Sequence, residues 1–112
     1  MAWEISEVEQ KNGKNVLSVK LDGRFVAAVA SNVREDVFAK MGDGVNVLFD
    51  LSRMVHIDSS GLGVLVQILQ KAKSHNATVV LAGLQPAPKI VFDITKVSRV
   101  VTIVPSVADA KF

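Results

Sequence analysis

The chain has 112 residues, 49% of them hydrophobic and 21% charged, the balance of one packed domain with no room for a second of ordinary size. Its 13 Lys and Arg are scattered among 11 Asp and Glu for a formal charge of +2, and with one Trp, no Tyr and no basic cluster beside its Phe residues it lacks the marks of a nucleic-acid binder. The absence of cysteine excludes disulfides and thiolate metal sites, and neither the opening Met1-Ala2-Trp3-Glu4-Ile5-Ser6-Glu7 nor any later stretch reads as a secretory signal or membrane span, so a cytoplasmic chain with no direct membrane insertion is expected.

Apolar and polar residues mix from Trp3 to Val8 and again from Val16 to Leu21. Asn12-Gly13 between them readily takes positive φ, so the chain is predicted to open with a β-hairpin. Val29, Val33, Val37 and Met41 then recur at spacing four, with Arg34, Glu35, Asp36 and Lys40 between them, the pattern of an amphipathic helix. Gly42-Asp43-Gly44 stops it. Val45-Asn46-Val47-Leu48-Phe49-Asp50 is short and nearly all apolar, as in a central strand covered on both faces, and Leu51 to Ile57 reads as a link.

Leu62, Leu65, Val66, Leu69 and Ala72 fall at i, i+3, i+4, i+7 and i+10, which predicts the longest helix, ending near Ser74-His75-Asn76, with Leu62 and Val66 in the core. Thr78 to Leu81 is a second buried strand. Gly83 to Pro88 breaks the chain and supplies prolines suited to a first helical turn, and Ile90, Ile94 and Val97 carry that helix onward. Val100 to Val104 is the last strand, and Ser106 to Lys111 is a short tail with helical character. Strands that alternate with helices after a hairpin predict an α/β fold: a mixed, mostly parallel sheet whose right-handed crossovers lay helices over it. Functional groups in such sheets gather where strand ends meet helix starts.

Asp58-Ser59-Ser60-Gly61-Leu62-Gly63 occupies such a place. The first N–H groups of a helix lack intrahelical partners, and Asp58 or Ser59 can satisfy one as an N-cap, for about 1 kcal/mol. Gly61 and Gly63 admit close approach by a neighbour. A cap alone leaves two serines unexplained, and two glycines that cost about 1 kcal/mol each relative to alanine. The surplus points to a contact surface.

Ile57-Asp58-Ser59-Ser60-Gly61-Leu62-Gly63-Val64-Leu65 resembles the signature of STAS domains, specifically of bacterial anti-sigma-factor antagonists. Val47 to Ser52 resembles the family's central strand, Val79 to Gly83 its next strand, and Leu84 to Val104, with Val91-Phe92-Asp93-Ile94-Thr95, its final helix and strand. The resemblance implies a single STAS-like domain over residues 1–112 that is not an enzyme and needs no cofactor. It implies partner switching: the unphosphorylated chain binds an anti-sigma factor with serine kinase activity, phosphorylation releases it, and a serine phosphatase restores the binding form. The phosphoacceptor of the family maps onto Ser59. Asp58, Ser59, Ser60, Gly61 and Gly63 are then the expected docking residues, with Ser60 as a supporting cap or hydrogen-bond donor.

A phosphate on Ser59 would bring nearly two negative charges beside Asp58. Negative charge favours a helix N-terminus by about 0.3–1 kcal/mol, so the modification is expected to act on a complex and to leave the fold intact. One departure stands out: Gly23-Arg24-Phe25-Val26 has valine where the family often has an aspartate near the phosphorylation loop. The alternative is therefore a STAS interaction module that is not phosphorylated, in another signalling or transport assembly.

Rival chemistries fit less well. His56, Asp58 and Ser59 suggest a catalytic triad, yet sequence neighbours rarely form one, and the G-x-S-x-G elbow is absent because Ile57 stands two places before Ser59. His56 and His75 are too far apart for a local metal motif and read as partly exposed polar residues. Gly61-Leu62-Gly63 lacks the further glycine and lysine of nucleotide-binding loops.

Overall fold

The structure is a computed structural model and describes Trp3 to Phe112; Met1 and Ala2, where a secretory signal would begin, lie outside the described residues. Among the described residues six strands and three α-helices follow in the order β1 Trp3–Ile5, β2 Glu9–Lys11, β3 Lys14–Phe25, α1 Ala27–Lys40, β4 Val45–Ile57, α2 Ser59–Ser74, β5 Val79–Ala82, α3 Pro86–Ile94 and β6 Thr102–Val104. They form one sheet of order β1-β3-β4-β5-β6, with β2 also paired to β3.

The opening hairpin forms as its turn chemistry requires. Asn12 and Gly13 have φ of 53° and 77°, both left-handed, which matches the twist of the flanking strands. The first arm is interrupted: β1 pairs with Val19 to Leu21 and β2 with Lys14 to Val16, both antiparallel to β3. At the gap, Ser6 N–H donates to the Ser18 carbonyl (2.9 Å) and Ser18 N–H donates to the Ser6 hydroxyl (3.0 Å).

β3, β4, β5 and β6 run parallel and advance in one direction across the sheet. Right-handed crossovers over strands that advance one way must all fall on the same side. Leu17, Val19, Val47, Phe49 and Leu81 from the strands accordingly share one core with Ala30, Val33 and Val37 of α1, Leu65, Ile68 and Ala72 of α2, and Phe92 of α3. On the reverse face Val16, Leu48, Val80 and Ala82 are covered by Val104, Ala110 and Phe112. The tail, with a single 3-10 turn at Val107–Asp109, thus supplies the second cover over the Val45–Asp50 strand.

Three sequence expectations change. The stretch Leu51 to Ile57 is strand and not a link, continuing β4 to thirteen residues. Its burial recurs at Leu51, Met54 and Ile57 because the pairing with β3 shifts between Lys20 and Asp22 and again between Gly23 and Arg24, where β4 carries the extra residue. Each bulge resets which side faces inward, so the alternation that marks a strand is lost.

The inward line of α2 is Gly61, Leu62, Val64, Leu65, Ile68 and Ala72. Val66, expected in the core, is half-buried at its margin with Leu69. The helix is apolar on more than one side, and packing on β4 and α1 selects the line through Ile68.

α3 ends at Ile94, and Val97 is buried in a separate 3-10 turn, Val97–Arg99, entered through Lys96 at φ 64°. Ile90 and Ile94 point outward, 59% and 75% exposed. Phe92 takes the core position, and residues two places to either side of it lie about 200° round the helix. Pro86 stands at the start of α3, as expected of proline.

Candidate functional site

β3 and β4 end side by side, with Phe25 opposite Ile57. The starts of α1 and α2 therefore emerge next to each other at one end of the sheet. Asp58 is the N-cap of α2, extended at φ −104° and ψ −177°, and its Oδ1 accepts the Gly61 N–H at 2.9 Å. Its Oδ2 accepts the N–H of Ala27, the first residue of α1, at 3.2 Å. The Asp58 N–H donates to the Phe25 carbonyl at 3.4 Å.

These bonds hold the Asp58 carboxyl below its ordinary pKa. The Gly61 N–H contributes most; partial desolvation opposes it; the Ala27 and Ser60 N–H groups and the nearby His56 add to the lowering. The group is anionic at neutral pH and already engaged by backbone donors.

Ser59 and Ser60 are exposed in the first turn of α2. No hydrogen bond among the described residues uses either hydroxyl, so the supporting cap expected of the Ser60 side chain does not form; its backbone N–H is the part that faces Asp58. The two glycines separate in character. A β-carbon on Gly61 would collide with the Phe25 carbonyl oxygen and lie 2.8 Å from the Phe25 ring, whereas one on Gly63 would meet nothing within 4 Å. Gly61 is required by packing. Gly63 is not.

His56, Asp58 and Ser59 do not join into a hydrogen-bonded relay, because both Asp58 oxygens serve backbone N–H groups. His56 is exposed, and His75, at the far end of α2, meets Asp43 across 2.6 Å. Among the described residues no group of three His, Cys, Asp or Glu could hold a metal ion, and no helix is long and apolar enough to cross a membrane. A shallow groove of about 430 Å³ runs between α2 and the β5–β6 edge, lined by Val66, Leu69, Lys73, Val79 and Val100, and contains none of the Asp58 to Gly63 residues.

Sequence reasoning located the start of α2 and, through the family resemblance, set Val26 near it, but did not foresee that the Asp58 carboxylate would accept the Ala27 N–H at the start of α1. The available signal was Val26, a residue without a capping group just before a helix.

The sequence model of the STAS domain matches residues 7–110. Among solved structures the chain is similar to a Thermotoga maritima protein described as a candidate anti-sigma factor antagonist, at TM-score 0.80 and 20% identity over 96% of this chain and 89% of that one. It is similar to the Bacillus cell fate determinant SpoIIAA in its phosphorylated form, at TM-score 0.68 and 16% identity over 91% and 90%. It is also similar to a sulfate transporter family protein from Wolinella succinogenes, at TM-score 0.73 and 13% identity over 83% and 79%. At these identities the likeness speaks for the fold: a STAS fold with a mixed, mostly parallel sheet.

Proposed function

The chain belongs to the STAS domain family, and from that premise we propose that it is an anti-sigma-factor antagonist, a single cytoplasmic domain over residues 1–112 that switches partners through Ser59. Unphosphorylated, it binds an anti-sigma factor with serine kinase activity and so frees a sigma factor. Phosphate on Ser59 releases the kinase, and a serine phosphatase resets the chain. The domain itself carries out no reaction and takes no cofactor.

The observation that carries this reading is the Ser59 hydroxyl: exposed, without a hydrogen bond among the described residues, and fixed at the start of α2. A kinase needs a hydroxyl it can reach without unfolding its substrate. The position tolerates the product as well, because a helix N-terminus favours negative charge. Ser60 and Gly63 flank the hydroxyl as docking contacts, while Asp58 and Gly61 shape the surface from beneath. Release by a factor of 100 needs only about 2.7 kcal/mol, within reach of a phosphate that repels carboxylates and blocks a desolvated contact.

The test is incubation with an anti-sigma factor kinase and ATP, read by intact mass. One phosphate is gained by the unmodified chain and none by Ser59→Ala; a gain that survives Ser59→Ala removes the mechanism. The second reading, an interaction module that is not phosphorylated, in another signalling or transport assembly, draws on Val26, which leaves the β3–α1 junction without the carboxylate common in the family. It predicts a stable complex that ATP does not dissociate.

A further inference from the structure

α1 begins without a cap of its own. Val26 is extended at φ −126° and ψ 175° and makes no side-chain hydrogen bond, having neither donor nor acceptor to offer. An N–H in the first turn of a helix still needs an acceptor. The one on Ala27 finds Asp58 Oδ2, 31 residues further along the chain and 3.2 Å away. The other oxygen of the same carboxylate holds Gly61.

Two further contacts fasten the same segments. The Asp58 N–H reaches the Phe25 carbonyl, and Gly61 packs so closely on that carbonyl that no β-carbon fits. The end of β3 and the start of α1 are thereby clamped to the turn that carries Ser59.

We infer that Asp58 is a positioning residue for Ser59: its carboxylate ties the start of α1 to the start of α2, in place of the cap Val26 lacks, so that both helices hold the Ser59 turn. The consequence rests on reading Ser59 as the switch residue, whereas the tie itself does not. The arrangement explains why a carboxylate is needed. Serine or asparagine can cap α2 with a single acceptor, but only a carboxylate has a second oxygen for Ala27, and the amide nitrogen of asparagine would point one donor at another. It also assigns Asp58 a place under the docking surface, since a partner cation that drew the carboxylate outward would loosen α1.

Two NMR measurements on the isolated protein test the inference. Amide protons bonded to a carboxylate move as it takes up a proton, so in an acid titration the Ala27 and Gly61 amides should follow one shared midpoint, and Asp58→Asn should abolish both responses. Asp58→Asn should also lower the order parameter of the Ser59 N–H from the rigid value of about 0.85 toward 0.6, with Ile68 unchanged. Adding Val26→Ser to that variant gives α1 a local cap and should steady Ala27 without steadying Ser59.

An Ala27 amide that ignores the titration, or moves with a midpoint different from that of Gly61, overturns the tie, and that measurement needs no variant. A Ser59 N–H equally ordered in Asp58→Asn overturns the positioning role. Neither readout involves a partner or a kinase, so this inference and the Ser59 switch can fail separately.

Discussion

Gly61 lies against the Phe25 carbonyl with no space for a β-carbon between them: one placed there would also stand 2.8 Å from the Phe25 ring and 3.0 Å from Ile57 Cγ1. Backbone occupies one side of that contact and cannot swing away. Gly61→Ala is expected to lower the unfolding free energy by about 1–3 kcal/mol, the usual range for overpacking a filled site. Gly63→Ala, with open space around it, should raise stability by up to about 1 kcal/mol through helix propensity. Urea denaturation separates the two. Under the proposed function the stabilised Gly63→Ala chain binds its kinase more weakly, a divergence that a purely structural glycine would not produce.

Ser59 offers the opposite dissociation of stability from binding. Ser59→Asp places an anion in the first turn of α2, where it should leave thermal stability unchanged or raise it by about 0.3–1 kcal/mol. Calorimetric titration with the kinase should show affinity lost by about 100-fold or more, equivalent to about 2.7 kcal/mol. A Ser59→Asp chain that binds as tightly as the unmodified one would count against charge as the switching signal.

Acid should weaken the fold by a route that two residues make specific. Asp58 is held below the ordinary aspartate range chiefly by the Gly61 N–H, and Asp93 chiefly by its hydrogen bond from Lys89, with the Ser98 hydroxyl assisting. In both cases the folded pKa lies below the unfolded one, so the unfolded chain binds more protons in that interval and stability rises with pH there. The contribution is complete above the ordinary carboxylate range and disappears as pH falls through the folded values. Thermal midpoints measured from pH 5 to pH 2 should therefore decline, and Asp58→Asn and Asp93→Asn should each flatten the decline. An unchanged slope in both variants would assign acid sensitivity to other carboxylates.

Asn46 is the buried polar residue of β4, and its side-chain oxygen accepts the Thr78 N–H at 2.9 Å where the chain enters β5. Asn46→Ala removes that acceptor from the exposed Thr78. The expected loss is about 0.5–1.5 kcal/mol in urea denaturation, with the strand order preserved because Val47 N–H still reaches the Thr78 carbonyl.

What the sequence discloses about this fold follows the range of the forces involved. Asn12-Gly13, the Asp58 cap and Pro86 act on residues three or four places away, and each does in the structure what its chemistry predicts. The bulged half of β4 was hidden because its inward residues recur every third place, a rhythm set by register with β3 and not by β4 itself. Ile90 and Ile94 have helical spacing, but which side of α3 turns inward is decided by Phe92 against the sheet. The link from Asp58 to Ala27 crosses 31 residues and leaves no local mark beyond the missing cap at Val26.

With every crossover helix on one side, Leu17, Val19, Val47 and Phe49 must satisfy a crowded interior, while Ser18 and Lys20 on the reverse answer only to water and a short tail. Mutational drift in such a domain is throttled at the helix-side positions and at the covered reverse-face patch of Val16, Leu48, Val80 and Ala82, and tolerated at open positions such as Lys20. A lineage can thus exchange most of its letters and keep its shape, as the 13% identity to the Wolinella succinogenes protein at TM-score 0.73 illustrates.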